Sequence, residues 1–355
     1  MLHNVAVISL YLPSGHKIGA GYQAHYMANT LVRRGHYVRM FSPSIKPDDA
    51  AYDHQRVDVG ESLRTFRFAW NLRRVDWSRY DVIHAHGENY WLRTGGRPIH
   101  VRTMHGSCLA EALHVPRMKE KLRMFLLGIT EMLAYAAADA TVGVSQNTLR
   151  SYPWIKRCIL NGVDTSVFCP AAEGGREKEP TILFVGTYRN RKRGKLLMDA
   201  FARSVLPAIP TAKLWMVCSD APTAQNVEVL GRLSTAELAD RYRRAWAFCL
   251  PSSYEGFGVP YIEAMASGTP VVATPNVGAL EVLANGKYGV IAEPADLGNT
   301  LRDLLNDSVG RQRLAAVGLE RSRIFSWDSV AAQYEALYAE LMQPHARSTG
   351  ALSTP

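Results

Sequence analysis

Short apolar runs that end at glycine or proline, each followed by a helical stretch, recur along this chain and begin again after a polar break near residue 171. Val5–Tyr11 reads as a buried strand closed by Pro13-Ser14-Gly15, and Tyr22–Arg34 as a helix stopped by Gly35. Strand signals return at Tyr37–Phe41, Asp81–Ala85, Ile99–Met104 and Ala140–Val144, with a long helix over Pro116–Ala138. Ala171–Pro180 is short, polar and glycine-containing, as linkers are. The pattern then resumes with strands at Thr181–Val185, Lys213–Cys218, Val227–Leu230, Ala247–Leu250 and Pro270–Ala273. Helices are expected at Leu196–Ser204, after a capping box of Ser234 and Glu237, at Val259–Ala266 and at Trp327–Met342. Strands alternating with helices predict α/β architecture with parallel sheets covered on both faces. A chain of 355 residues suits two such domains. Two doubly wound, Rossmann-like halves predict a cleft, with ligands off the carboxyl ends of the strands. The glycine-bearing loops after Tyr11, Val185, Leu230 and Leu250 lie at such ends.

Composition removes several classes. Hydrophobic residues make up 47% and charged residues 21%, which excludes disorder as the main state. There is no apolar run of the roughly 18 to 20 residues a spanning helix needs. The opening MLHNVAVISLYLP lacks a basic leader and reads as a buried strand, not a signal peptide. Five cysteines without CxxC spacing argue against zinc and against a disulfide framework, so the reducing cytosol is the expected compartment. Net charge is +9, and residues 1–170 carry 21 basic against 13 acidic residues, a balance of +8. Either this is a solvated basic face or it meets an anionic partner: an acidic lipid surface, or an acidic or phosphorylated acceptor. Arg117, Lys119, Lys121 and Arg123, ahead of Met124-Phe125-Leu126-Leu127, suit peripheral docking on the inner face of an anionic membrane. Nucleic acid is not expected, because no zinc finger, RNP motif or basic zipper is present.

The most informative string is Pro251-Ser252-Ser253-Tyr254-Glu255-Gly256-Phe257-Gly258-Val259-Pro260-Tyr261-Ile262-Glu263-Ala264-Met265-Ala266. A strand ends, a loop carries one carboxylate and two glycines, and Pro260 suits the first turn of a helix. Backbone N–H groups from Gly256 to Val259 would then face a phosphate from a helix N-terminus. Glu255 and Glu263 suit sugar and ribose hydroxyls; alternatively they only favour the helix N-terminus. A second string, Gly186-Thr187-Tyr188-Arg189-Asn190-Arg191-Lys192-Arg193-Gly194, packs four cations into five positions after a strand. It is either a solvated basic turn or a site for a departing diphosphate, whose charge grows in the transition state.

The sequence resembles the retaining glycosyltransferases of family four, which have the GT-B fold. The resemblance rests on EGFGVPYIEAMASGTPVVA at 255–273, and on Gly19, Met27-Ala28, Leu31 and Gly35-His36. Further matches are Asp81 to His86, His105-Gly106, Asn161-Gly162-Val163-Asp164 with Phe168, and Phe325-Ser326-Trp327 with Tyr334 and Tyr338. It covers nearly the whole chain. It implies an N-terminal acceptor domain over 1–170, a nucleotide-sugar domain over 171–325, a helix at 326–344 crossing back to the first domain, and a mobile tail at 345–355. It also implies a nucleotide-sugar substrate, expected to be UDP-linked, an acceptor hydroxyl, retention by front-face attack, and neither metal nor cofactor. Glu255 would contact the donor sugar, Glu263 the ribose, and the amides of Gly256, Phe257, Gly258 and Val259 the sugar and phosphate. His105 would approach the donor sugar, Gly19 the diphosphate, and the backbone of Arg232 the base. The family has Arg directly after the first glycine of the basic string and Lys before the later one; here those positions hold Thr187 and Arg193. Arg189 or Arg191 would supply the missing cation; Arg193, which precedes Gly194 at the family's spacing, is the first candidate for the catalytic one and Arg191 the second, with Lys192 beside them. An epimerase or hydrolase on the same fold, or a silent lipid- or partner-binding subunit, remain the alternatives.

Overall fold

The computed structural model describes residues 2–13, 19–112, 118–171 and 175–343. The start of the first glycine loop, Arg117 and the tail at 345–355 lie outside them. The chain divides into two compact units, Met1–Gly162 with Trp327–Pro355, and Val163–Ser326. The sequence reading had put the change of domain at 170/171.

The first unit runs β1 (Asn4–Ile8), α1 (Gly19–Arg33), β2 (Tyr37–Ser42), β3 (Asp53–Arg56), α2 (Arg64–Leu72), β4 (Val82–Ala85), β5 (Ile99–Met104), α3 (Cys108–Ala112), α4 (Met118–Ala137), β6 (Ala140–Gly143), α5 (Gln146–Ser151) and β7 (Arg157–Cys158). Its sheet is parallel, in the order β3-β2-β1-β4-β5-β6-β7. Successive side chains of a strand point to opposite faces, and β1 sorts them cleanly. Val5 and Val7 pack with Met27, Ala28 and Leu31 of α1, while Ala6 and Ile8 pack with Phe68 and Leu72 of α2. Gly35 ends the α1 segment at φ +94, a conformation glycine adopts without steric cost.

The second unit runs β8 (Thr181–Val185), α6 (Gly194–Ala200), β9 (Lys213–Val217), β10 (Val227–Val229), α7 (Thr235–Arg244), β11 (Ala247–Leu250), α8 (Val259–Ala266), β12 (Val271–Ala273), α9 (Val277–Val282), β13 (Val290–Ile291), α10 (Leu297–Asn306) and α11 (Ser308–Ser322). Its parallel sheet has the order β10-β9-β8-β11-β12-β13. The Ser234–Glu237 capping box forms as expected. Helix α6 ends at Ala200 and continues as a wider π turn over Phe201–Val205. The expected linker is tied down from Arg176 onward. The Arg176 guanidinium donates to the Ala245 and Gly268 carbonyls, and Trp246 Nε1 donates to the Glu177 carbonyl at 2.8 Å.

The closing helix α12 (Trp327–Met342) belongs to the first unit. Trp327, Val330, Tyr334, Leu337 and Tyr338 join the core formed by β1 and α1. Arg34 clasps Glu335 with two 2.7 Å hydrogen bonds, and Tyr338 and Tyr334 reach His84 and Thr103 at 2.6 and 2.8 Å.

Each sheet reverses its strand order once, between β1 and β4 and between β8 and β11. Connections leave such a pair toward opposite faces, which opens a crevice at the carboxyl ends. The loops after β8 and β11 carry the two candidate strings.

Candidate active site

In the second unit the two loops meet. Ser253 N donates to the Arg191 carbonyl at 2.8 Å, and Arg191 Nη1 donates to the Tyr254 carbonyl at 2.9 Å. Asn190 and Arg193 both have positive φ, 64° and 54°, around the 3₁₀ turn Asn190–Lys192. That double reversal sends Lys192 inward and leaves Arg193 as the N-cap of α6. Gly194 admits this turn because a Cβ there would stand 2.9 Å from Tyr188 Cα. Asp220 fixes the start of the loop by accepting from Tyr188 N at 2.9 Å.

Lys192 Nζ lies 2.7 Å from Glu255 Oε1, and Arg191 Nη1 lies 3.1 Å from Oε2. Burial pushes the Glu255 carboxyl upward, but Lys192 and Arg191 outweigh it and hold the group below the usual glutamate range. Burial also lowers the Lys192 ammonium, against the pull of Glu255. Arg193, the sequence's first choice, faces no carboxylate among the described residues. The structure thus brings Lys192 and Arg191 to Glu255 and holds Arg193 apart.

Gly258, at φ +98, caps α8, and Pro260 occupies its first turn. The first amides of any helix lack intrahelical partners, so Val259 and the residues before it present donors at a positive helix end. The loop is rigidly backed. Asn276 Nδ2 and Thr274 Oγ1 both donate to the Ser252 carbonyl, and α9 presses so close at Gly278 that a Cβ would lie 2.5 Å from the Phe257 carbonyl oxygen. Phe257 itself is buried against Phe325. Glu263, on α8, accepts a 2.9 Å hydrogen bond from Tyr242 of α7. Burial and the Glu263 charge keep the Tyr242 hydroxyl protonated far above its ordinary range. Arg232 is exposed after Gly231, which turns the chain at φ +64.

In the first unit His105 follows β5. Its Nε2 lies 2.8 Å from His86 Nδ1, and His86 stacks in turn on His84 with ring centroids 4.8 Å apart. Burial and nearby Arg102 push His105 down to about 4, and burial takes His86 well below its ordinary value, so both rings are neutral at pH 7. A neutral ring has one hydrogen. His105 makes a hydrogen bond to Asn161 that favours its protonated form, so it donates there. His86 is therefore the donor across the pair, and its own Nε2 is buried without a partner among the described residues. Sequence reasoning placed His86 and Asn161 among the family matches without a site role, and missed Tyr242. The His84–Ala85–His86 spacing was the available signal, since residues two apart share one face of a strand. It also missed Glu88, whose burial pushes its carboxyl up to about 7. Gly19 begins α1 in open space, whereas at Gly21 a Cβ would stand 2.6 Å from the Tyr11 carbonyl oxygen. Gly21, in the first turn of α1, is thus the position here that requires glycine. Among the described residues no group of three or more His, Cys, Asp and Glu is arranged to hold a metal ion.

The family model described as Glycosyltransferase Family 4 matches residues 18–167, and that described as Glycosyl transferases group 1 matches residues 170–321. A lipopolysaccharide core biosynthesis mannosyltransferase of Rhizobium meliloti is 30% identical, covering 74% of this chain and 84% of its own. The chain belongs to glycosyltransferase family four. A phosphatidyl-myo-inositol mannosyltransferase of Mycobacterium leprae is a relative at 27% identity, over 93% of this chain and 96% of its own. Sucrose-phosphate synthase from Thermosynechococcus elongatus shares the fold with a TM-score of 0.75, at 23% identity over 95% and 98% of the two chains. An Anabaena protein solved in complex with UDP-glucose gives 0.72, at 16% identity over 95% and 100%. The expected GT-B fold is borne out, including the helix that returns to the first unit. As a family-four glycosyltransferase the chain is an enzyme of sugar transfer, and the Glu255–Glu263 string lies inside the segment matched as Glycosyl transferases group 1.

Proposed function

We propose that this glycosyltransferase moves a sugar from a nucleotide-sugar donor to an acceptor hydroxyl, with retention and without a metal or further cofactor. The observation that carries the reading is the convergence of Lys192 and Arg191 on Glu255 beside the N-terminus of α8. Bond cleavage moves negative charge onto the leaving diphosphate. Fixed cations and helix amides stabilise that charge more in the transition state than in the ground state. Donor binding exchanges partners: the diphosphate takes the cations and Glu255 takes sugar hydroxyls, while Glu263, held by Tyr242, receives the ribose. His105 contacts the donor sugar, Gly19 the diphosphate, and the Arg232 backbone the base.

In the step itself the anomeric carbon–phosphate oxygen bond breaks and the acceptor oxygen–carbon bond forms on the same face. The acceptor proton passes to the departing phosphate oxygen. A UDP-linked donor is supported by the Anabaena neighbour solved with UDP-glucose. Relatives named for phosphatidyl-myo-inositol and for lipopolysaccharide core, together with the basic first half, support a lipid-linked anionic acceptor or surface. The test is a calorimetric donor panel, followed by transfer assays with the winning donor in chelator and proton NMR of the product anomer. Inversion of configuration, or a rate abolished by chelator, would overturn the mechanism.

A further inference from the structure

Helix α4 is built opposite to a buried helix. Among its described residues only Gly128 and Ala134 are fully buried, and its large apolar side chains face outward. Leu122, Phe125, Leu126, Ile129, Met132 and Leu133 are between 44% and 59% exposed. At about 100° per residue these six fall within an arc of about 120°, and Lys119 and Lys121 sit just beyond its two edges. The inner side is anchored. Gly128 lets Leu109 approach to where a Cβ would be 2.4 Å away, and Glu131 accepts from Cys108 N at 3.1 Å. The outward stripe therefore does not arise from a helix that failed to dock.

A second basic and aromatic surface adjoins it. Ala134 of α4 packs in one cluster with Ala69 of α2, Tyr90 and Phe66. The next residue of α2, Trp70, is about half exposed, meets Trp91 edge-on at 5.6 Å, and carries the Arg73 guanidinium 4.5 Å above its ring. Arg64, Arg67, Arg73 and Arg74 are all exposed. Protein interfaces are depleted in lysine around their apolar centres. Apolar side chains flanked by lysine and arginine, with tryptophan at the margin, instead match the depth profile of a bilayer interface. Among the described residues no helix is long and apolar enough to cross a membrane.

We infer that α4 lies in the plane of an anionic lipid bilayer, its Leu122–Leu133 stripe in the acyl boundary and Lys119, Lys121 and the α2 arginines at the headgroups. The inference rests on the reading that the basic first half meets an anionic surface. The donor chemistry of the second unit does not depend on it.

The test uses the full chain and vesicles of phosphatidylcholine alone or with phosphatidylglycerol. Wild type should sediment with the anionic vesicles at low salt and be released by high salt. Phe125→Ser with Leu126→Ser should abolish sedimentation. Lys119→Ser with Lys121→Ser should weaken it about 30-fold, from roughly fivefold per basic residue. Circular dichroism confirms that the variants are folded, and donor hydrolysis in solution should be unchanged in all of them. Equal binding to both vesicle types, or stripe variants that bind like wild type, would overturn the inference. So would a wild-type dimer in sedimentation equilibrium that the stripe variants convert to monomer, because the stripe would then face a second copy. Loss of donor hydrolysis by wild type would fault the transferase reading instead.

Discussion

Lys192 Nζ and Glu255 Oε1 stand 2.7 Å apart, tying the loop after β8 to the loop after β11. The pair crosses the point where the sheet reverses its strand order, so it sits where a ligand is bound in folds of this kind. Its side chains are 16% and 6% exposed, whereas Arg191, the second partner of Glu255, is 54% exposed. If the donor diphosphate takes these cations, Lys192→Ala should lower kcat and kcat/KM together, by about 10² to 10³. Arg193→Ala should stay near wild type, and Lys192→Arg should recover part of the loss. Single-turnover kinetics on the three variants, with melting curves to confirm folding, settle the order. A large loss confined to Arg193→Ala would return the role to the residue that spacing favoured.

The two glutamates should separate by ligand. Glu255→Ala should leave nucleoside diphosphate binding nearly intact while abolishing transfer. Glu263→Ala should also weaken the free nucleotide, by about 1 to 3 kcal/mol for a hydrogen bond to a charged group. Tyr242→Phe removes the bond that orients Glu263 and should show the same pattern in milder form. Calorimetry with the free nucleotide decides it, and equal losses in both glutamate variants would end the division of roles.

His86 is assigned as a positioning residue for His105. Nitrogen-15 NMR should show His105 neutral at pH 6, with its hydrogen on the nitrogen facing Asn161 and Nε2 accepting from His86. His86→Asn can keep a donor there and should preserve most activity, whereas His86→Ala should lower kcat. With His105 pushed down to about 4, kcat/KM should show no inflection from this ring between pH 5 and pH 8. A His105 resonance titrating near its ordinary value would refute the assignment.

How much of this was legible in the sequence depended on where the information lies. Thr181–Val185 and Ala247–Leu250 form strands over the predicted residues, because a strand buried on both faces reads as a nearly continuous apolar run, and Ile99–Met104 does so too although His100, Arg102 and Thr103 interrupt its apolar residues. Strand β3 was missed: Asp-His-Gln-Arg lies at the sheet edge and mostly faces solvent, so it shows no apolar alternation. Helices α10 and α11 were also missed, although Leu297, Leu301, Leu304 and Leu305 of α10 are buried at helical spacing. In the site, residues within one loop were found together, but the choice among three adjacent cations was not available from spacing. Two left-handed residues, Asn190 and Arg193, decide which side chain turns inward. The partners of His105 come from the end of β4 and from Asn161, and only the folded sheet brings them to one place.

The first unit should be acid-labile for a reason that can be traced to single hydrogens. His100 is fully buried, with Nδ1 2.9 Å from the Ala137 carbonyl oxygen and Nε2 3.0 Å from Asn89 Nδ2. Nδ1 must donate to the carbonyl, so Nε2 must accept from the amide. A second proton would set two donors face to face. Burial accordingly pushes the ring down to about 4, and takes His84, also fully buried, to about 3. The unfolded chain titrates near 6.5, so between pH 6.5 and about 4 it binds more protons than the folded chain. Stability is therefore complete above pH 6.5 and falls as pH falls through that window. At about 1.4 kcal/mol per pH unit, His100 alone accounts for roughly 3 kcal/mol. Glu335 extends the loss to lower pH: its hydrogen bond from Arg34 holds the carboxyl at about 2, so that contribution disappears between the ordinary glutamate range and pH 2. Urea midpoints at pH 7.5, 5.5 and 4.5 should drop steadily in wild type. His100→Asn should start lower but decline less steeply, since no ring remains to be protonated. A wild-type midpoint that stays level from pH 7.5 to pH 4.5 would show that His100 and His84 accept protons without cost, and the hydrogen-bond assignment would have to be reversed.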